Sequence, residues 1–169
     1  MPDVNAMIRV DHAGEYGASR IYAGQLAVMG DRSDVSPEIA RMAAQEERHL
    51  HSFNHLIVKR GVRPTLLMPV WHVAGYMLGV ASALAGPKTA MAVTAAVETE
   101  IDRHYQAQRE ALGTDEPELT ALISDFQADE VEHRKVAIAH GAEQSPGYPL
   151  LSAVIRAGCR TAIRLSEKI

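Results

Sequence analysis

The sequence predicts an all-α fold: a four-helix bundle with a long crossover helix and an extra C-terminal helix. Three observations point there. Apolar residues recur at helical spacing in six segments, and none alternates as a strand would. Turn-forming residues punctuate those segments at Gly30, Gly61 and Gly86-Pro87. Aromatic residues make up only 5% of a chain that is 47% hydrophobic, so the core is aliphatic, which favours helices over a β-sandwich. At 169 residues, residues 1–169 are expected to form one domain with a sizeable core.

The first helix is expected from about Asn5 to Met29, with a stripe of Ile8, Glu15, Ser19, Tyr22, Leu26 and Met29. The second follows Ser36, read as its N-cap, with Pro37 at the first helical position, and stops at Gly61. Its stripe includes Ile39, Met42, Glu46, His49, Phe53 and Ile57. The third covers roughly Pro69–Leu84, inside a stretch from Pro64 to Pro87 that carries no Asp, Glu, Lys or Arg. The fourth follows Gly86-Pro87 and runs to Leu112, with Met91, Thr94, Ala95, Glu98, Ile101, Tyr105 and Gln108 on one face. The fifth opens on Asp115-Glu116-Pro117-Glu118, acidic residues that suit the positive end of a helix dipole. It carries Leu119, Ile123, Phe126, Glu130, His133 and Ala137. The sixth spans about Pro149–Ser166.

Composition narrows the function. A formal net charge of −4 argues against a nucleic-acid partner. A single cysteine, Cys159, precludes an intrachain disulfide and fits a reducing compartment. Residues 1–10 read as neither a signal peptide nor a transit peptide.

Four helices place a carboxylate in the middle of an apolar stripe, where an unpaired charge is costly. Two of them carry Glu-x-x-His, as Glu46-Glu47-Arg48-His49 and Glu130-Val131-Glu132-His133. Residues three apart share a helix face, about 5–6 Å between Cβ atoms, so each pair can grip one metal. The other two helices supply Glu15 and Glu98. Glu15 to Glu46 is 31 residues and Glu98 to Glu130 is 32. Glu15 to Glu98 is 83, while Glu46 to Glu130 and His49 to His133 are both 84. The chain therefore reads as two helical hairpins, each giving Glu…Glu-x-x-His, stacked about a pseudo-two-fold axis. Four carboxylates and two imidazoles are the ligand set of ferritin-like di-iron and di-manganese bundles. Four carboxylates neutralise two divalent cations, and the absence of thiolates argues against structural zinc. The expected metal ligands are thus Glu15, Glu46, His49, Glu98, Glu130 and His133. His12, His51, His55, His72 and His140 lack this support and read as surface, core or supporting groups. His104 and Tyr105, about two turns beyond Glu98, are candidate catalytic residues for ring binding or proton delivery, or else fill the core.

Longer stretches resemble the demethoxyubiquinone hydroxylase family. They include Arg9-Val10-Asp11-His12-Ala13-Gly14-Glu15-Tyr16-Gly17-Ala18 and its continuation to Gln25, and Gln45-Glu46-Glu47-Arg48-His49-Leu50. Arg63-Pro64-Thr65, Met68-Pro69-Val70-Trp71, Val97-Glu98 with His104-Tyr105, Asp129-Glu130-Val131-Glu132-His133 and Ala157-Gly158-Cys159-Arg160 extend the likeness over nearly the whole chain. The resemblance implies a non-haem di-iron monooxygenase of ubiquinone biosynthesis, with two iron ions on the same six residues. Its substrate would be a polyprenyl methoxy-benzoquinol and its oxidant dioxygen. NADH is the associated reductant, although no Gly-x-Gly-x-x-Gly segment is present. A partner protein of ubiquinone biosynthesis could relay the electrons. The expected location is peripheral, on the cytoplasmic face of a bacterial inner membrane or the matrix face of a mitochondrial one.

A polyprenyl substrate requires access to lipid. Pro64–Pro87 is long enough to cross a bilayer, which takes about 20 residues. A single crossing would separate Glu15, Glu46 and His49 from the other three ligands, so a crossover helix lying along the bundle is expected instead. The last helix sets Arg156, Arg160, Arg164 and Lys168 beside Leu151, Val154, Ile155 and Ile163. That pattern fits a membrane surface or a packed helix with a solvated basic edge. Gly75 and Gly79 would let the helix of a second copy approach closely, which would support a homodimer. The rival functions are a ferritin-like ferroxidase, a non-catalytic membrane-bound quinone carrier and, more remotely, a tRNA hydroxylase.

Overall fold

A computed structural model describes residues 3–169; residues 1 and 2, which the expected domain includes, lie outside it. Six α-helices and one short 3-10 turn make up the described structure, with no strand among them. They are α1 (Val4–Met29), α2 (Ser36–Arg60), α3 (Met68–Leu84), α4 (Pro87–Leu112), α5 (Pro117–Ala139) and α6 (Tyr148–Lys168), with the turn at Ala142–Gln144.

Local chemistry sets most of the boundaries. The Asp3 side chain accepts from the Ala6 N–H at 3.0 Å and starts α1. Gly61, at φ 62°, ends α2 in the left-handed region and returns its N–H to the last turn. One expected cap differs. Ser36 is the first residue of α2 rather than its N-cap; Val35 holds the cap position without a side-chain bond, and the buried Ser36 hydroxyl has no partner. Pro37 already removes one of the amides a cap would serve, which lowers the gain from capping.

The helices α1, α2, α4 and α5 form the bundle, built from the hairpins α1–α2 and α4–α5. Apolar cores fill its two ends. One holds Tyr22, Met29, Ile39, Met42, Met91 and Ala95; the other holds Ile8, Phe53, Leu112, Leu119, Ile123 and Phe126. The midpoints of the four helices lie between these cores. An ion pair ties the hairpins together at one end, where Arg60 closing α2 bonds both oxygens of Glu116 before α5 (2.9 and 2.8 Å).

Helix α3 crosses the outside of the bundle on α1. No described helix is long and apolar enough to cross a membrane. The α3 glycines, expected to admit the helix of a second copy, are consumed within the chain instead. A Cβ on Gly79 would collide with the Ile21 carbonyl oxygen, and one on Gly24 with that of Tyr76. A Cβ on Gly75 would lie 2.9 Å from the Gly17 carbonyl oxygen. Close approach of α1 and α3 is what these glycines serve, so they are not free for a second copy.

Helix α6 lies on α4 and α1, with Leu151, Ile155 and Cys159 against Ile21, Val93 and Val97. Burial pushes the Cys159 thiol up to about 12, so it stays protonated. Its basic edge is partly occupied. Arg156 and Arg160 reach the buried Glu100 carboxylate of α4 at 2.6 and 2.9 Å. The expected apolar face of α6 therefore divides: one stripe packs inward, while Leu150, Val154 and Leu165 stay exposed.

Candidate metal centre

Helical phase brings six side chains from α1, α2, α4 and α5 to one point. Glu15, Glu46, His49, Glu98, Glu130 and His133 are each at most 1% exposed, whereas the adjacent Glu47 and Glu132 face solvent. The six form two overlapping groups of four: Glu15, Glu46, His49 and Glu130, and Glu46, Glu98, Glu130 and His133. Within each group, one ligand atom per residue lies within 4.8 Å of the others. Glu46 and Glu130 belong to both groups, so they sit where bridging carboxylates would. Glu15 with His49, and Glu98 with His133, are the outer pairs.

Both imidazoles turn Nδ1 inward. His49 Nδ1 is 3.3 Å from Glu15, 3.1 Å from Glu130 and 3.9 Å from Glu46. His133 Nδ1 is 3.3 Å from both Glu46 and Glu130, and 3.9 Å from Glu98. Their Nε2–H groups point outward, donating to Asp129 (3.0 Å) and Gln45 (3.1 Å). These bonds fix the ring orientation and leave Nδ1 facing the carboxylates, available to a cation. Gln45 in turn donates to Asp129 at 3.1 Å, and Arg48 holds Asp129 at 2.5 Å. Phe126 stacks on His49 with ring centroids 4.0 Å apart.

The unpartnered atoms test whether cations fit. Both oxygens of Glu46, both oxygens of Glu130, Glu98 Oε2 and His133 Nδ1 are buried without a hydrogen-bond partner. Buried polar atoms are nearly always paired, and these face one another. A pair of divalent cations would satisfy them all. Without cations, burial and then the neighbouring carboxylates push Glu46 and Glu98 well above the usual carboxylate range. Burial opposes the charge on His49, yet the nearby Glu130 and Glu15 carboxylates raise it to about 10.

Three supporting residues, Tyr22, Gln45 and Asp129, had no role in the sequence analysis, and Tyr105, expected to serve the ring or a proton, bonds a carboxylate of the cluster. Tyr22 OH donates to Glu98 Oε1 at 2.6 Å, and Tyr105 OH donates to Glu15. Each tyrosine lies seven residues after the glutamate of its own helix, yet serves the glutamate of the other hairpin. Tyr22 to Tyr105 is 83 residues, the spacing of Glu15 to Glu98. Gln45 and Asp129 precede the two central glutamates and are 84 apart, and each serves the histidine of the other hairpin. The repeat that reveals the ligands extends to their supports. His104 is directed elsewhere: its Nε2 lies 3.1 Å from Asp11 Oδ1, and Gln108 donates to the same oxygen at 2.8 Å. Of the remaining histidines, His12 is buried against Asn54, while His51, His55, His72 and His140 are exposed.

A helical bundle with Glu…Glu-x-x-His from each of two hairpins, buried and converging, defines the ferritin-like class of dinuclear carboxylate proteins. Within that class the particular family is plain. Residues 2–166 match the family described as "Ubiquinone biosynthesis protein COQ7", and the chain belongs to it. It is 51% identical to the 3-demethoxyubiquinol 3-hydroxylase of Rhodospirillum rubrum over 166 residues, covering 98% of this chain and 78% of the relative. It is also 51% identical to the human mitochondrial NADPH-dependent 3-demethoxyubiquinone 3-hydroxylase, over 98% of this chain and 78% of that protein. The 5-demethoxyubiquinone hydroxylase of Saccharomyces cerevisiae is 39% identical, with the same coverage.

Proposed function

We propose that this chain is a 3-demethoxyubiquinol 3-hydroxylase of ubiquinone biosynthesis, acting through a non-haem di-iron centre. Two lines support the activity: membership of the family, and a buried set of four carboxylates and two imidazoles with several ligand atoms left unpartnered. That second observation carries the mechanism. Iron held by Glu15, Glu46, His49, Glu98, Glu130 and His133 would supply the redox change needed to use dioxygen.

The protein's own residues do the remaining work. Glu46 and Glu130 lie between the two halves of the site and can serve both cations. Tyr22 and Tyr105 hold Glu98 and Glu15 from across the bundle, so neither carboxylate is free to swing. Asp129 and Gln45 keep the histidine Nε2–H groups outward. The apolar cores above and below exclude water and protect the oxidising site. His104, partly exposed and held by Asp11 and Gln108, is the group through which protons or the substrate ring reach that edge. The reductant is a nicotinamide cofactor acting without a Rossmann site, as the NADPH-dependent relatives suggest, with quinone or a partner protein as relay.

The substrate tail sets the location, peripheral on the cytoplasmic face of a bacterial inner membrane or on the mitochondrial matrix face. Val70, Val73, Met77 and Leu84 of α3, with Leu150 and Val154 of α6, are exposed apolar side chains on the two outer helices. Such surfaces insert shallowly at a membrane interface. The protein is expected to pellet with anionic vesicles at low salt; full recovery in the supernatant would refute this placement.

The decisive experiment supplies iron-loaded protein with oxygen, reductant and a short-tailed demethoxy-quinol, and looks for a mass gain of one oxygen. Glu98→Ala and His133→Ala should abolish the product while helix content persists. Undiminished turnover in either would overturn the ligand assignment.

A further inference from the structure

A second cavity lies outside the metal centre, between α1, α2 and the start of α3. It opens to the surface, has a volume of about 490 Å³, and is lined by His12, Tyr16, Leu50, Asn54, Met68, Pro69 and His72. That volume is within the range of small-molecule sites, roughly 300–1,000 Å³. None of the six metal ligands lines it.

We propose that this cavity docks the oxygenated ring of a prenylated benzoquinone or benzoquinol, at a site distinct from the metal centre. The identification of the ring rests on the hydroxylase reading; the cavity's chemistry stands on the following contacts.

The polar lining is arranged in two pairs. Tyr16 OH lies 2.6 Å from His72 Nδ1, and His12 Nε2 lies 2.9 Å from Asn54 Oδ1. With the phenol donating to His72 Nδ1, the His72 proton sits on Nε2, which becomes a donor. With His12 Nε2–H donating to Asn54, His12 Nδ1 is an acceptor and the Asn54 amide N–H₂ remains a donor. His12 is 94% buried, and its Nδ1 has no partner in the structure. A buried unpaired acceptor beside a cavity is a position for a ligand donor. The site therefore offers donors for carbonyl oxygens and an acceptor for a hydroxyl.

Charge and shape narrow the ligand further. The lining holds no Asp, Glu, Lys or Arg, so it suits a neutral molecule rather than a phosphate or a carboxylate. Burial lowers the His12 pKa and keeps that imidazole neutral as well. Leu50, Met68 and Pro69 provide apolar surface against a ring, and thioether–aromatic contacts are favourable. Leu66, Val70 and Val73, next to this lining in the chain, are 67%, 51% and 60% exposed. They offer exposed apolar surface to a tail on the same stretch of chain. A polar neutral ring with an apolar tail satisfies every wall; a sugar would not use the apolar rim, and a fatty acid would bring a charge that no residue pairs.

The protein carries its own reporter, because its one tryptophan, Trp71, adjoins Pro69 and His72 in the α3 sequence. Iron-loaded oxidised protein is titrated with a benzoquinone bearing one isoprene unit, and Trp71 fluorescence is followed. Saturable quenching is expected. Tyr16→Phe, His72→Ala and the cavity-filling Leu50→Phe should each raise Kd, by roughly 3- to 10-fold where one hydrogen bond is lost. A prenylbenzene lacking the ring oxygens should compete more weakly by a similar factor. Circular dichroism establishes that each variant is folded, and Glu98→Ala should keep wild-type quenching although it makes no product. Non-saturable quenching, superimposable titrations of the three folded cavity variants and wild type, or equal competition by the prenylbenzene would each overturn the proposal. Saturable quenching of the wild-type protein without any hydroxylation by it would instead strike the functional reading alone.

Discussion

At the scale of single residues, the centre is held by hydrogen bonds that cross between hairpins. Asp129 illustrates the principle. It accepts from His49 Nε2–H, from Arg48 and from Gln45, and so orients a histidine 80 residues away. Supporting groups of this kind typically contribute 10- to 100-fold in metal affinity. Asp129→Ala is therefore expected to weaken metal binding by roughly that factor, measured by competition with a chelator. Asp125→Ala removes only a largely exposed partner of Arg48 and should leave affinity nearly unchanged. Equal affinities in the two variants would remove Asp129 from this role. Tyr22 and Tyr105 follow the same logic on the carboxylate side. Burial and then the adjacent carboxylates raise both phenols well above their ordinary range, so each remains a donor.

At the scale of elements, backbone proximity decides where the outer helices lie. Three glycines let α1 and α3 approach until side chains would clash with carbonyl oxygens. Gly79→Ala inserts a methyl group against the Ile21 carbonyl. Overpacking of this kind costs about 1–3 kcal/mol, which lowers Tm by roughly 2–12 °C in a chain of this size. Gly158→Ala in α6 meets nothing within 4 Å, and replacing a mid-helix glycine there should leave Tm unchanged or raise it. Thermal unfolding of the two variants checks this; a neutral Gly79→Ala would mean that α3 can slide on α1. Glu100 performs the matching service for α6, since its buried carboxylate is bonded by Arg156 and Arg160 of that helix at 2.6 and 2.9 Å, closer than Arg103 of its own helix at 3.5 Å.

At the scale of the whole molecule, the fold accepts an electrostatic cost at its centre. Glu46 and Glu98, raised by burial and then by neighbouring carboxylates, bind more protons when folded than when unfolded at neutral pH. Their contribution to the stability of the metal-free protein is present below the ordinary carboxylate range and is lost as pH rises through the raised values. His49, raised to about 10 by Glu130 and Glu15 against the effect of burial, has the same sign. Cations require those protons to leave. Metal binding should therefore release protons, and the Tm gain on metal loading should be larger at pH 8 than at pH 6. Differential scanning calorimetry at the two pH values tests this, and an equal or smaller gain at pH 8 would contradict it.

The sequence by itself determined the helical architecture, because helix formation depends on local period and punctuation, and the Glu-x-x-His pairs with their 83- and 84-residue repeats reported which faces converge. It could also have revealed Tyr22, Gln45 and Asp129, and the supporting role of Tyr105, since all four obey the same repeat. Tertiary structure alone decided the rest. Whether Gly75 and Gly79 serve a second copy or α1 depends on which backbone lies opposite, and periodicity carries no such information. Whether Arg156 and Arg160 face solvent or a buried partner depended on Glu100, which lies 56 and 60 residues away. The cavity of His12, Tyr16 and His72 arises where three helices meet, and its shape belongs to their packing rather than to any one segment.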